Sequence, residues 1–144
     1  MRSRALDRAR FVNYRNRADE FFHGMQDEAV LERFGASALL GVHASIALAD
    51  AVTVHETGKR AADEQHKDAV KLLASVCSTR HIEEEGCGRL GRILAKKNEV
   101  AYSERFAPAD TNELKELRRN VEGFFGWAYE NFKHLGGKPT QEGA

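Results

Sequence analysis

Seven apolar side chains near the C-terminus, Leu114, Leu117, Val121, Phe124, Ala128, Phe132 and Leu135, follow one another at steps of three and four. At 3.6 residues per turn that spacing places them on one stripe of a helix, and the stripe must be buried against other elements. Pro108 with Asp110 or Thr111 marks the start of this helix, and Gly136 and Gly137 mark its end. A related period recurs upstream. Leu6, Val12, Ala18, Phe21, Phe22, Met25 and Leu31 predict a first helix, with Gly24 as its weak point. A second, from about Ala36 to His55, is apolar on most sides, as a central bundle helix is, and Gly58 stops it. A third is expected from about Ala61 to Cys77, with Ala69, Val70, Leu73, Val76 and Cys77 on one face. Ser78 or Thr79 then caps a fourth that runs to Tyr102. Its first half is softened by Gly86, Gly88 and Gly91, each costing roughly 1 kcal/mol relative to alanine.

No stretch alternates at period two and no hairpin dipeptide separates β-branched runs, so no strand is expected. The reading is an all-α fold: an up-and-down four-helix bundle with an additional short helix, one domain over residues 1–137 and a flexible C-terminal tail at 138–144. A chain of 144 residues, 42% hydrophobic and 31% charged, is large enough to bury a core without staples and too apolar to be disordered. The longest apolar run, Ala36 to Val54, is interrupted by His43 and Asp50, which favours a core helix over a membrane span. The opening MRSRALDRARF has no apolar stretch behind its basic residues, so no secretory signal is expected. Cys77 and Cys87 are too few for a disulfide framework or a zinc site, and a cytoplasmic location is expected.

Basic and acidic residues balance at 22 each, unlike the strongly basic domains that hold nucleic acid non-specifically. The distribution is uneven, however. Arg2, Arg4, Arg8, Arg10, Arg15 and Arg17 fall within the first seventeen residues, opposed only by Asp7. Such an arm either contacts phosphates or acidic surfaces, or is simply a solvated helix face.

Arg60 and His66 carry the sharpest chemical signal. Arginine forks onto phosphate oxygens at every physiological pH, and histidine exchanges protons near neutrality. His66 is in phase with Val70, Leu73 and Cys77, and Arg60 precedes it by six residues. On one continuous helix that is about 120° of azimuth, which a long arginine stem spans. Such a pair suits RNA cleavage without metal: His66 moves a proton at the 2′-hydroxyl or the leaving 5′-oxygen, and Arg60 stabilises charge on the phosphate. One histidine does not easily act as both base and acid, so a symmetric partner's copy would help. The competing reading is an ordinary core or interface histidine beside an ordinary arginine.

The segments GVHASIALADAV, GKRAADEQHKDAVKLL, LAKKNEVAYSERF and GFFGWAYENF, from roughly Arg8 to Leu135, together resemble a HEPN domain. The family signature is an arginine, four to six residues, then a histidine; Arg60, five residues and His66 fit it. The resemblance implies a small all-α domain from toxin–antitoxin, defence or RNA-processing systems, acting on RNA as a homodimer with two such motifs facing each other. It further implies a metal-independent endoribonuclease with no cofactor, assisted by a polar residue of the preceding helix, here His43 or Asp50. An antitoxin or a nucleotidyltransferase is the kind of partner implied. In one subgroup the nucleotidyltransferase modifies a tyrosine two residues after the histidine, a position occupied here by Asp68. Other family members are non-catalytic modules that bind RNA, a nucleotide or a protein.

Remaining constellations are weaker. Glu20 and His23 have the i, i+3 spacing of di-iron carboxylate bundles, but the further ligands such a centre needs are missing. Glu83 to Glu85 complement a helix start. Cys77, Cys87 and His81 lack the support nucleophilic catalysis needs. The glycines at 86, 88 and 91 have no preceding strand and fit no phosphate-binding fingerprint. Phe124, Phe125, Trp127 and Tyr129 read as core and dimer-seam residues.

Overall fold

The computed structural model describes residues 3–5, 7–61, 66–102 and 109–136, and at 3–5, 66, 67 and 102 it describes the backbone alone. The expected tail at 138–144 lies outside these residues. The described chain is mostly helical: α1 (Phe11–Val30), α2 (Phe34–Thr57), α3 (His66–Arg80), α4 (Glu85–Ala95), α5 (Lys97–Tyr102) and α6 (Asn112–Asn131). A 3₁₀ turn at Arg8–Arg10 leads into α1, and another at Lys133–Leu135 follows α6.

α1 and α2 form a hairpin joined by three residues, with Glu32 at φ 62° turning the chain. They approach closely through their glycines. A Cβ on Gly24 would stand 3.1 Å from Leu40, and one on Gly41 would stand 2.8 Å from the Met25 sulfur. Gly24 is therefore a packing position on a continuous helix rather than a weak point. The Ser37 hydroxyl donates to the Met25 carbonyl at 2.6 Å, tying the hairpin together where α2 begins.

α2 is the centre of the fold. Ala38, Val42, Ala44, Leu48, Ala51 and Val52 are fully buried around its circumference. Among the described residues it is the one helix long and apolar enough to cross a membrane, and 78% of its most apolar window is buried inside the protein. It ends at Gly58, whose φ of 72° is the left-handed conformation glycine adopts without a Cβ penalty.

Beyond Gly58 the expected third helix does not start at Ala61. Residues Lys59–Ala61 form a strand, β2, paired antiparallel with β1 (Ser3–Ala5), Arg60 opposite Arg4. A ladder of three residues is too short for period-two alternation to register, so the sequence carried no signal for it. α3 begins at His66 and runs through Ser78 and Thr79, which are interior residues, not caps. The fourth expected helix is two: α4 and α5 break at Lys96. Gly86, read as softening, lies directly under Trp127; a Cβ there would meet the indole at 2.0 Å.

α6 starts as expected. The Thr111 hydroxyl accepts from the Leu114 amide at 3.2 Å, filling one of the orphan donors of the first turn. It ends at Asn131, short of the apolar stripe, yet Phe132 and Leu135 remain buried because the 3₁₀ turn folds back onto the core. Phe124, Phe125, Val121, Leu73, Leu90 and Ile93 join the α2 side chains in one core.

At its edge the Tyr129 hydroxyl donates to the Asp19 carboxylate, linking α6 to α1. Burial pushes the Asp19 pKa up, and the Tyr129 hydrogen bond and Arg15 only partly offset this. Tyr129→Phe is expected to cost about 1–3 kcal/mol in urea denaturation at neutral pH, because a half-buried carboxylate loses its donor. The raised native pKa means the carboxylate's burial penalty grows as pH rises through it, so the loss is expected to shrink in acid. An unchanged urea midpoint at neutral pH would show that this hydrogen bond contributes nothing.

Candidate functional site

A cleft of about 470 Å³ lies along α1 and α2, with β2 also contributing to its lining. Periodicity builds its two walls. From the first 3₁₀ turn and α1 come Arg10, Asn13, Tyr14, Arg17 and Phe21; from α2 come His43, Ile46, Ala47 and Asp50. Each set recurs at three and four residues, so each is one helical stripe. β2 contributes Arg60. Arg10, Asn13 and Arg17 are exposed, which leaves the mouth open to solvent.

Arg60 is held from two sides. Its Nη1 donates to Asp50 Oδ2 at 3.4 Å, and its guanidinium carbon lies 5.6 Å from the centre of the Tyr14 ring. Its Nε is buried and has no hydrogen-bond acceptor among the described residues. Asp50 is buried, and the rings of Phe21 and His43 are steeply inclined to each other with centroids 6.2 Å apart. Arg10, Arg17 and Arg60 thus line one partly apolar cleft together with Asp50. That excess of guanidinium over carboxylate attracts an anion.

Three of the four residues singled out from sequence, Arg60, His43 and Asp50, therefore meet in one place. The fourth, His66, is the first residue of α3. Its side chain lies outside the described residues, as do 62–65 between it and Arg60, so the expected apolar-face orientation has no counterpart here. Sequence reasoning missed Arg10, Tyr14 and Arg17 as a unit. The arginine-rich arm was visible, but its partition was not; spacing of four and three (10, 14, 17) was the available signal.

The other candidates separate from this cleft. Glu20 is exposed, and His23 Nε2 is buried without a partner, but no group of three metal donors forms around them among the described residues. Cys77 and Cys87 are buried with sulfurs 3.9 Å apart. Burial, reinforced by Cys77, pushes the Cys87 thiol up to about 12, which makes it inert as a nucleophile near neutral pH. The glycine-rich start of α4 is filled by Trp127, whose indole N–H donates to the Glu83 carbonyl at 3.2 Å.

One cluster had no sequence signal. At the end of α2, His55 and Glu56 meet His134 of the C-terminal turn. The imidazoles stack 3.6 Å apart and nearly parallel, at 7°. Glu56 Oε2 lies 2.8 Å from His55 Nδ1, and Oε1 accepts from Arg80 at 2.7 Å. Burial alone would raise the Glu56 carboxyl, but hydrogen bonds from Arg80 and His55 outweigh it and hold the group below its ordinary value. Burial, with His55 alongside, pushes His134 down to about 4.

Compared with protein-family models, with curated proteins and with solved structures, the chain matches none.

Proposed function

We propose that this chain is a HEPN-like helical bundle that binds RNA in the α1–α2 cleft and cleaves it without metal, as a cytoplasmic homodimer. The four longest helices, α1, α2, α3 and α6, are the main bundle in this reading, and the shorter ones are additions to it. The carrying observation is the convergence of Arg60, His43 and Asp50 with Arg10 and Arg17 in one solvent-open cleft.

Each residue then has a role. Arg10 and Arg17 bind phosphates along the strand, as exposed arginines do. Arg60, positioned by Asp50 and Tyr14, places its guanidinium against the phosphate that reacts. The 2′-oxygen attacks phosphorus and the bond to the 5′-oxygen breaks, leaving a 2′,3′-cyclic phosphate and a 5′-hydroxyl. His66 of one copy takes the 2′-hydroxyl proton, and the second copy's equivalent gives one to the departing 5′-oxygen. His43 stands at the cleft wall as a further hydrogen-bonding group.

The test is cleavage of a mixed RNA pool by the purified full-length protein in excess EDTA, compared with His66→Ala. Cleavage by the wild type alone, with cyclic phosphate ends, is expected. RNA retained but uncut by both proteins would replace catalysis with the non-catalytic binding module. Neither binding nor cleavage by a folded protein would sink the reading altogether.

A further inference from the structure

We propose that His55, Glu56 and His134 form a binding site for one zinc-class divalent ion, which clamps the C-terminal turn onto the end of α2. The inference is independent of the RNA reading, since none of the three residues lines the cleft.

Two imidazoles and a carboxylate are a donor set that zinc accepts with a fourth position open to water. Here one ligand atom from each residue lies within 4.8 Å of the other two. Glu56 Oε2 is the pivot, 2.8 Å from His55 Nδ1 and 3.9 Å from His134 Nδ1. Zinc bonds of about 2.0–2.1 Å in a tetrahedron separate donors by roughly 3.3 Å, so the donor atoms lie on the order of 1 Å from the required spacing, and one imidazole must also reorient. Two ligands are already in place. His134 and Glu56 are about nine-tenths buried, with side-chain exposures of 10% and 11%. The His134 ring makes inclined contacts with the rings of Phe11 and Phe132, at centroid distances of 4.8 and 6.2 Å. The Ala51 backbone also lies beside the imidazole, as a hydrogen-bonding group that an ion would compete with.

His55 is the ligand that must move. An ion bound to imidazole lies in the ring plane, and two nearly parallel planes 3.6 Å apart share no such point. His55 is 37% exposed at its side chain, so it has room to turn out of the stack. Arg80 opposes the ion: its guanidinium sits on Glu56 Oε1 at 2.7 Å, adding a positive charge beside the site. It leaves Oε2 available, and at 43% exposure it can swing into water.

The experiment is titration of the full-length protein with Co²⁺, read by the visible bands of tetrahedral cobalt, followed by displacement with Zn²⁺. One equivalent per chain is expected, with Zn²⁺ also raising the melting temperature. His55→Ala, the substitution least able to disturb the core, should weaken Zn²⁺ binding at least about tenfold and remove most of the cobalt colour. His134→Gln should do the same, and Arg80→Gln should tighten binding several-fold by removing the competing charge. Undiminished binding in His55→Ala and His134→Gln would place the ion on other histidines and overturn the assignment. Absence of cobalt bands and of any Zn²⁺-induced stabilisation in the wild type would overturn it directly.

Discussion

Arg60→Lys is expected to reduce RNA cleavage by about 100- to 1000-fold, the range seen when one preorganised donor to a transition-state oxyanion is removed. Lysine keeps the charge but loses the planar fork, and the surroundings of Arg60 are built for a fork. Asp50 holds Nη1, the Tyr14 ring lies against the guanidinium, and the residue lines the cleft. An ammonium on a flexible stem is drawn to the Asp50 carboxylate as a point charge and has no second edge to offer. Stability should change little, within about 1 kcal/mol, because the substituted side chain sits at a cleft wall outside the packed core. The measurement is initial cleavage rate in EDTA, with thermal melts as the control for folding. Arg60→Lys cutting at the wild-type rate would remove Arg60 from the chemistry, whatever the cleft binds.

Gly86→Ala is expected to destabilise the protein by about 3 kcal/mol, the upper end of the overpacking range. Helix propensity alone predicts the opposite sign, a gain of roughly 1 kcal/mol for removing a glycine from a helix. The structure reverses it because the Cβ would fall 2.0 Å from Trp127 Cε3, on a rigid ring that is itself buried. The indole cannot retreat without giving up its hydrogen bond to Glu83 and its contact with Phe132. Gly126→Ala on α6 supplies the control: nothing lies within 4 Å of its added Cβ, so the propensity gain should appear there undisturbed. Urea denaturation of the two variants separates the effects. Stabilisation by both substitutions would falsify the close packing of α4 on α6.

The two glycines illustrate how far the residue pattern alone could reach. Periodicity located α1, α2 and α6, because a buried helical stripe must repeat at three and four wherever it packs. It began α1 at Leu6 instead of Phe11, however, and carried α6 past its end at Asn131. Thr111 and Gly58 marked boundaries because capping and left-handed turns depend on local chemistry. β2 was invisible, since three residues carry no period, and so α3 was placed too early by a full turn or more. The division of the fourth helix at Lys96 was also missed.

For the cleft, the chemical type of each residue was readable and the grouping was not. Arg60, His43 and Asp50 stood out as side chains suited to phosphate chemistry, but choosing between His43 and Asp50 required knowing which faces Arg60. The structure puts both in the cleft and gives the contact with Arg60 to Asp50. The role of Arg10 and Arg17 depended on the α1–α2 crossing, which no local pattern encodes. His55, Glu56 and His134 lie furthest beyond sequence reasoning: 78 residues separate Glu56 from His134, and a 3₁₀ turn after α6 closes that distance. Local order follows from side-chain spacing and caps because those forces act within one or two turns. The cleft and the histidine cluster follow from how the helices cross, which burial of the whole core sets at once.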